Sequence, residues 1–248
     1  MNRSKLIALA FPAIVLGLCA QRTSVSILAA PDAGPGSIEG TVSYEDGRPA
    51  TGATVYSQPM DRGMAGIVPH AKTDESGHFA ISHLWLGKFA VGAEKLDEDY
   101  PNMTMQFYSD GKFETVILTP RRPASTVSIR LGRKAGILMG TVADAVTGAA
   151  VNPCVEFRRA REPNNFLAGT GLVNAKYRVL VPSNTDVLMK VWHEGHRPWY
   201  YPGTMNQAQS RPVNLKPGEE TEVEIRLEPD SSAQAEGCGM PVGTIIKP

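Results

Sequence analysis

GTVSYEDGRPATGATV, spanning Gly40–Val55, has a weaker echo in GTVADAVTGAAVNPCV, Gly140–Val155, and this pair decides the architecture. In the first copy an extended, β-branched run ends at Asp46-Gly47, Arg48-Pro49 leads out of the turn, and Ala53 to Tyr56 resume extended residues. That pattern predicts a β-hairpin whose second arm starts after Pro49. In the second copy Thr141 and Val142 hold the same place, Gly148 stands for Gly47 with one residue inserted, and Val151, Val155 and Phe157 carry the return strand. Copies 100 residues apart suit a whole β-sandwich better than a solenoid unit, so the chain reads as a tandem of two domains.

Outward from the first copy, Thr73-Asp74-Glu75-Ser76-Gly77 is a turn, and Phe79 and Ile81 alternate with His78, Ala80 and Ser82 as in a half-buried strand. Leu84 to Gly87 turns again, and Phe89, Val91 and Ala93 alternate with Lys88, Ala90 and Glu94, which predicts a second hairpin. The copies close alike: Val116, Leu118, Pro120, Val127, Ile129, Arg130 and Leu131 return as Val213, Leu215, Pro217, Val223, Ile225, Arg226 and Leu227. Between these ends Tyr177, Val179 and Val181 match Phe79, Ile81 and His83, and Val187, Met189 and Val191 match Phe89, Val91 and Ala93. The second copy has Leu172 to Ala175 where the first has its Thr-Asp turn.

The order GTV, DG-x-P and GATV, followed by Thr73-Asp74, Gly77, Phe79, Ile81, Leu84, Gly87 and Phe89, resembles the carboxypeptidase regulatory-like domain. The likeness covers about residues 37–131. It implies a transthyretin-like, prealbumin-like Greek-key β-sandwich of about seven strands per copy, of the kind found beside catalytic domains and in bacterial surface proteins. It implies no activity.

Composition agrees with an all-β chain, because 24 Gly and 19 Pro punctuate it throughout and leave few amphipathic helical stretches. The 25 Lys and Arg balance 25 Asp and Glu, so charge points to neither nucleic acid nor an acidic membrane. Arg3 and Lys5 precede an apolar run from Leu6 to Leu18, then Cys19, Ala20 and polar Gln21, which reads as a secretory signal over residues 1–20. Lipidation at Cys19 is the second reading. A retained anchor is disfavoured, since the run contains Pro12 and falls short of the roughly 20 residues a span needs. Residues 21–36 have linker composition, 37–132 and 136–229 are the two sandwiches, and 230–248 is a polar, Gly- and Pro-broken tail. With Cys19 used or removed by export, Cys154 and Cys238 remain, either paired or as two thiols.

Candidate chemistry gathers at residues 192–201. The His-x-x-Glu pair of zinc carboxypeptidases is absent, and His193-Glu194-Gly195-His196 has different spacing from a zincin helix. Tyr200 and Tyr201 beside those histidines match the residue types, though not the pattern, of the iron-binding intradiol dioxygenases. No nucleophile elbow or phosphate loop occurs, and no cofactor is implied. Asp97 to Asp99 read as a solvated loop. Strand phase puts Trp192 on the outer face, with Trp199, Tyr200 and Tyr201 following within nine residues. These aromatics form either a recognition patch or a satellite core in which the Trp199 loop covers Trp192. The sequence therefore reads as an exported, non-catalytic binding or structural module for a protein or glycan partner. Carbohydrate binding or a metal-dependent extracytoplasmic enzyme are the alternatives.

Overall fold

The computed structural model describes residues 34–61, 68–109, 113–169 and 175–233. The signal segment, Cys19, Cys238, and nearly all of the 21–36 linker and the tail lie outside the described residues. The first sandwich comprises β1 (Gly36–Ser43), β2 (Thr54–Pro59), β3 (His70–Lys72), β4 (His78–Leu84), β5 (Gly87–Glu94), β6 (Glu114–Leu118) and β7 (Ala124–Arg130). They form two facing sheets, ordered β4-β1-β7 and β3-β2-β5-β6. The second comprises β8 (Gly136–Asp144), β9 (Cys154–Arg159), β10 (Glu162–Gly169), β11 (Lys176–Val181), β12 (Val187–Trp192), β13 (Trp199–Tyr200), β14 (Glu220–Glu222) and β15 (Ile225–Leu227). Its sheets run β11-β8-β14, with β15 extending the β14 side of β8, and β10-β9-β12-β13. The fold is all-β, and the order of the first sandwich recurs in the second.

The residues that mark the repeat occupy equivalent places. Val42 lies opposite Ile129 in the parallel β1–β7 pair, and Val142 opposite Ile225 in β8–β15. A Cβ on Gly40 would overlap the Val127 carbonyl, and one on Gly140 would overlap the Val223 carbonyl. Both positions are therefore held to glycine by close backbone approach. The inward-facing sets predicted from alternation are buried: Phe79, Ile81, Phe89, Val91 and Ala93 in one core, Tyr177, Val179, Val181, Val187, Met189 and Val191 in the other.

Two hairpins predicted from the sequence are not sheet neighbours. β1 pairs with β4 and β7, whereas β2 pairs with β3 and β5, so the chain crosses between sheets after Pro49. A short arm forms first, with Tyr44 N–H donating to Arg48 O and Ala50 N–H to Val42 O, each at 2.9 Å. Gly52, at φ 73°, then turns the chain away. Buried Thr73 clasps the crossing: its hydroxyl donates to Ala50 O at 2.5 Å and accepts from Ala53 N–H at 2.9 Å. Asp74 Oδ1 accepts from the backbone of Ser76 and His78, closing the turn at Gly77. In the second copy Ala175 takes the place of Gly77, since Val142 N–H donates to Ala175 O as Val42 N–H does to Gly77 O.

Likewise β4 and β5 lie in opposite sheets. His83, at φ 60°, breaks the alternation of β4, so that Leu84 and not His83 enters the core opposite Gly36.

The cores are separate clusters, yet the predicted boundary at 132–136 does not divide them. Phe107 and Tyr108, which precede β6 of the first sandwich, belong to the second core. Residues 96–109 form a strap between the two. Nor is Asp97 to Asp99 a free loop: Asp97 accepts from Lys95 at 2.9 Å, Glu98 accepts from the Tyr44 hydroxyl at 2.9 Å, and Asp99 meets Arg178 at 2.7 Å.

Candidate functional site

The sheet register divides the predicted aromatic group between two faces. Trp199 on β13 lies opposite Val191, and Val191 opposite Val155, so all three point into the second core. Trp199 is 4% exposed and meets the Tyr201 ring edge-on at 6.5 Å. Neither stacks on Trp192. That residue lies opposite Cys154 on the outer face, as strand phase predicts, but it is only 7% exposed, with the Lys190 ammonium 4.8 Å above its ring. Tyr200, opposite Lys190, is half-buried on the same outer face. An exposed patch built from both tryptophans does not form, and Trp199 belongs to the main core instead of a satellite.

His193 and His196 sit in the turn after β12, with ring centroids 5.3 Å apart. Each Nδ1 faces the Glu194 carbonyl, at 2.8 Å for His193 and 3.1 Å for His196, while His196 Nε2 lies 2.9 Å from Asp144 Oδ2. Asp144 ends β8, and its other oxygen accepts from Val146 N–H and from the amide and hydroxyl of Thr147. The Thr147 amide, together with the His196 ring, holds this carboxyl well below the usual carboxylate range. His196 thus pins the turn after β12 to the end of β8, while His193 bonds within the turn. Among the described residues no three His, Cys, Asp or Glu side chains converge as a metal site would require. The turn also seats the segment after β15, with Arg197 N–H donating to Glu228 O at 2.9 Å and Asp230 N–H to Gly195 O at 2.7 Å.

Asp144 gives a pH prediction. A carboxylate whose folded pKa is depressed adds stability that is complete above its unfolded value, about 4, and is lost as pH falls through the lower folded value. Asp144→Ala should therefore lower the urea midpoint at pH 7, and the gap to wild type should narrow steadily between about pH 5 and pH 2. A gap that stays constant over that range would show that the carboxylate hydrogen bonds contribute nothing.

The outer face of the β10-β9-β12-β13 sheet carries a second group of side chains. Phe166 is 41% exposed, lies opposite Arg158, and has the guanidinium 5.0 Å above its ring. Arg158 is also forked onto Glu156, which lies opposite Lys190. No sequence signal marks Phe166: pairing continued regularly from Glu162 opposite Arg159 would set it opposite Val155 on the inner side, and the irregularity between Glu162 and Phe166 moves it opposite Arg158 on the outer face. Cys154 is disulfide-bonded on this same face.

No protein-family model matches the chain, and no curated protein does. Among solved structures it is similar to the TIE protein of Bacillus anthracis (14% identity, TM-score 0.31, covering 78% of this chain and 34% of that one). A streptococcal ancillary pilin gives 14% identity and TM-score 0.28, covering 78% and 62%. The SpaA shaft pilin of Lactobacillus rhamnosus GG gives 10% identity and TM-score 0.32, covering 78% and 97%. The chain thus spans about a third of the first protein and less than two thirds of the second.

Proposed function

We propose that this is an exported, non-catalytic tandem of carboxypeptidase regulatory-like sandwiches, serving as a binding or structural module for a protein or glycan partner outside the cytoplasm. The observation that carries the export reading is the disulfide at Cys154, since such bonds persist in oxidising compartments. It agrees with the basic start and apolar run of residues 1–20. Among the described residues no helix is long and apolar enough to cross a membrane. The non-catalytic reading rests on the commitment of His193, His196 and Asp144 to holding a turn.

The pairing that fits this reading is Cys154 with Cys238, because Cys19 falls within the export signal. Peptide mapping of the purified chain without reductant should find these two cysteines in one linked pair, and a free thiol at Cys238 would exclude it. N-terminal sequencing should start between Cys19 and about Pro31, whereas an intact Met1 on cytosolic protein would overturn export.

Carbohydrate binding is the narrower reading, favoured by Phe166 and Tyr200 on the outer face beside Arg158 and Lys190. On a glycan array the wild type should bind and the Phe166→Ala, Tyr200→Ala double variant should lose at least about tenfold in affinity, the scale of two stacking contacts. Binding that is equal in both would move the contact elsewhere, and none in either would leave a protein partner. Stoichiometric zinc or iron in protein purified without chelator would overturn the non-catalytic reading.

A further inference from the structure

We propose that residues 96–109 are an in-cis docking segment, through which the folded state of the first sandwich completes and stabilises the second. The chain is then one cooperative body and not two beads on a string. The proposal stands apart from the functional reading above.

The second sandwich has an apolar outer face that its own strands do not cover. In the β11–β8 pair, Val179 lies opposite Leu138 and these enter the core. Leu180 opposite Ile137, and Arg178 opposite Met139, must then point to the other side, since side chains alternate along a strand. An outer sheet face would leave Leu180 and Ile137 in water, yet each is 1% exposed. The strap supplies the cover. Tyr108 donates its hydroxyl to Leu180 O at 3.1 Å, and Phe107 and Tyr108 pack edge-on at 5.2 Å in the same cluster, with Leu96, Met103 and Met105 against it.

Polar contacts fix the strap at both ends and along its length. Asp99 bonds Arg178 at 2.7 Å and accepts Ala135 N–H at 2.8 Å. Buried Arg159 donates to Phe107 O at 3.0 Å, and Asn165 donates to Gln106 O at 2.8 Å. On the other side the strap is seated on the first sandwich. Lys95 and Tyr100 exchange backbone hydrogen bonds at 2.8 and 3.0 Å, Tyr100 packs on Tyr44 at 5.6 Å, and Glu98 accepts the Tyr44 hydroxyl. The strap crosses the outer face of β5 at Gly92, where a Cβ would come within 2.5 Å of Thr104 and 3.0 Å of Asn102. This explains why Phe89–Glu94 is buried on both faces of an outer sheet. A segment gripped by both sandwiches couples their unfolding, because losing the first releases the cover of the second.

Hydrogen exchange of the β9 and β12 amides in the full chain tests this. Phe79→Ala opens the first core only, far from those strands, and should accelerate their exchange by at least about tenfold; the milder Ile81→Val, in case the first variant does not fold, should give about threefold. In a chain also carrying Phe107→Ser and Tyr108→Ser, neither substitution should change β9 and β12 exchange further. Acceleration confined to β1 and β4 would overturn the coupling. Acceleration that persists in the strap variants would overturn the strap as its carrier.

Discussion

Gly140→Ala is expected to destabilise the protein by about 4 kcal/mol or more, at the severe end for a single methyl group. A Cβ at this position would overlap the Val223 carbonyl and stand 3.1 Å from the Tyr177 hydroxyl. The obstacle is backbone, which cannot rotate aside, and it lies where β8 hands over from β14 to β15. The Tyr177 hydroxyl donates to the same carbonyl at 2.7 Å, so relieving the overlap by moving Val223 also breaks a partly buried hydrogen bond. Gly40→Ala should behave alike against Val127. The control is Gly148→Ala, where nothing lies within 4 Å and only the φ of 71° opposes a side chain, which should cost about 1 to 2 kcal/mol. Urea unfolding of the three variants would check this, and equal shifts for Gly140 and Gly148 would refute the close-approach account.

Trp199→Ala should cost about 3 to 5 kcal/mol, as truncation of a fully packed aromatic does. Its ring lies between Val191 and Tyr201 inside the second core, where no neighbour can collapse into the space left without disturbing β12. Tyr200→Ala, one residue on but on the opposite face and half-buried, should cost about 1 kcal/mol. The difference follows only from strand phase. Comparable melting temperatures for the two variants would mean that Trp199 is not a core residue.

Much of this was legible beforehand. The glycines of the two GTV copies, the V-x-I-R-L closures and the alternating hydrophobes of the main strands stand where the repeat puts them, apart from His83, whose place in the core Leu84 takes. The candidate site was less so. Strand phase gives the face of Trp192, but burial of that face cannot be read from β12 alone. The inward face of Trp199 is not legible in the sequence, because a two-residue strand is too short to show a period. Asp144 does not stand out in the sequence, because its partner His196 is 52 positions away.

The sequence by itself determined which face the longer strands with a clear alternation turn inward, because an alternating apolar set is stable only with that side out of water. It also determined where the chain must turn, since glycine, proline and the Thr73-Asp74 pair act within a few residues. Only the tertiary structure decided which strands became neighbours. β1 and β2, or β4 and β5, show the same alternation whether they pair edge to edge or face each other across a core. The choice was made by distant contacts such as Thr73 on Ala50 and Ala53, and Leu84 on Gly36. The strap was decided at the same level. Its Met103, Met105, Phe107 and Tyr108 form no regular element, and they acquire a role only once the bare face of Ile137 and Leu180 has folded beside them.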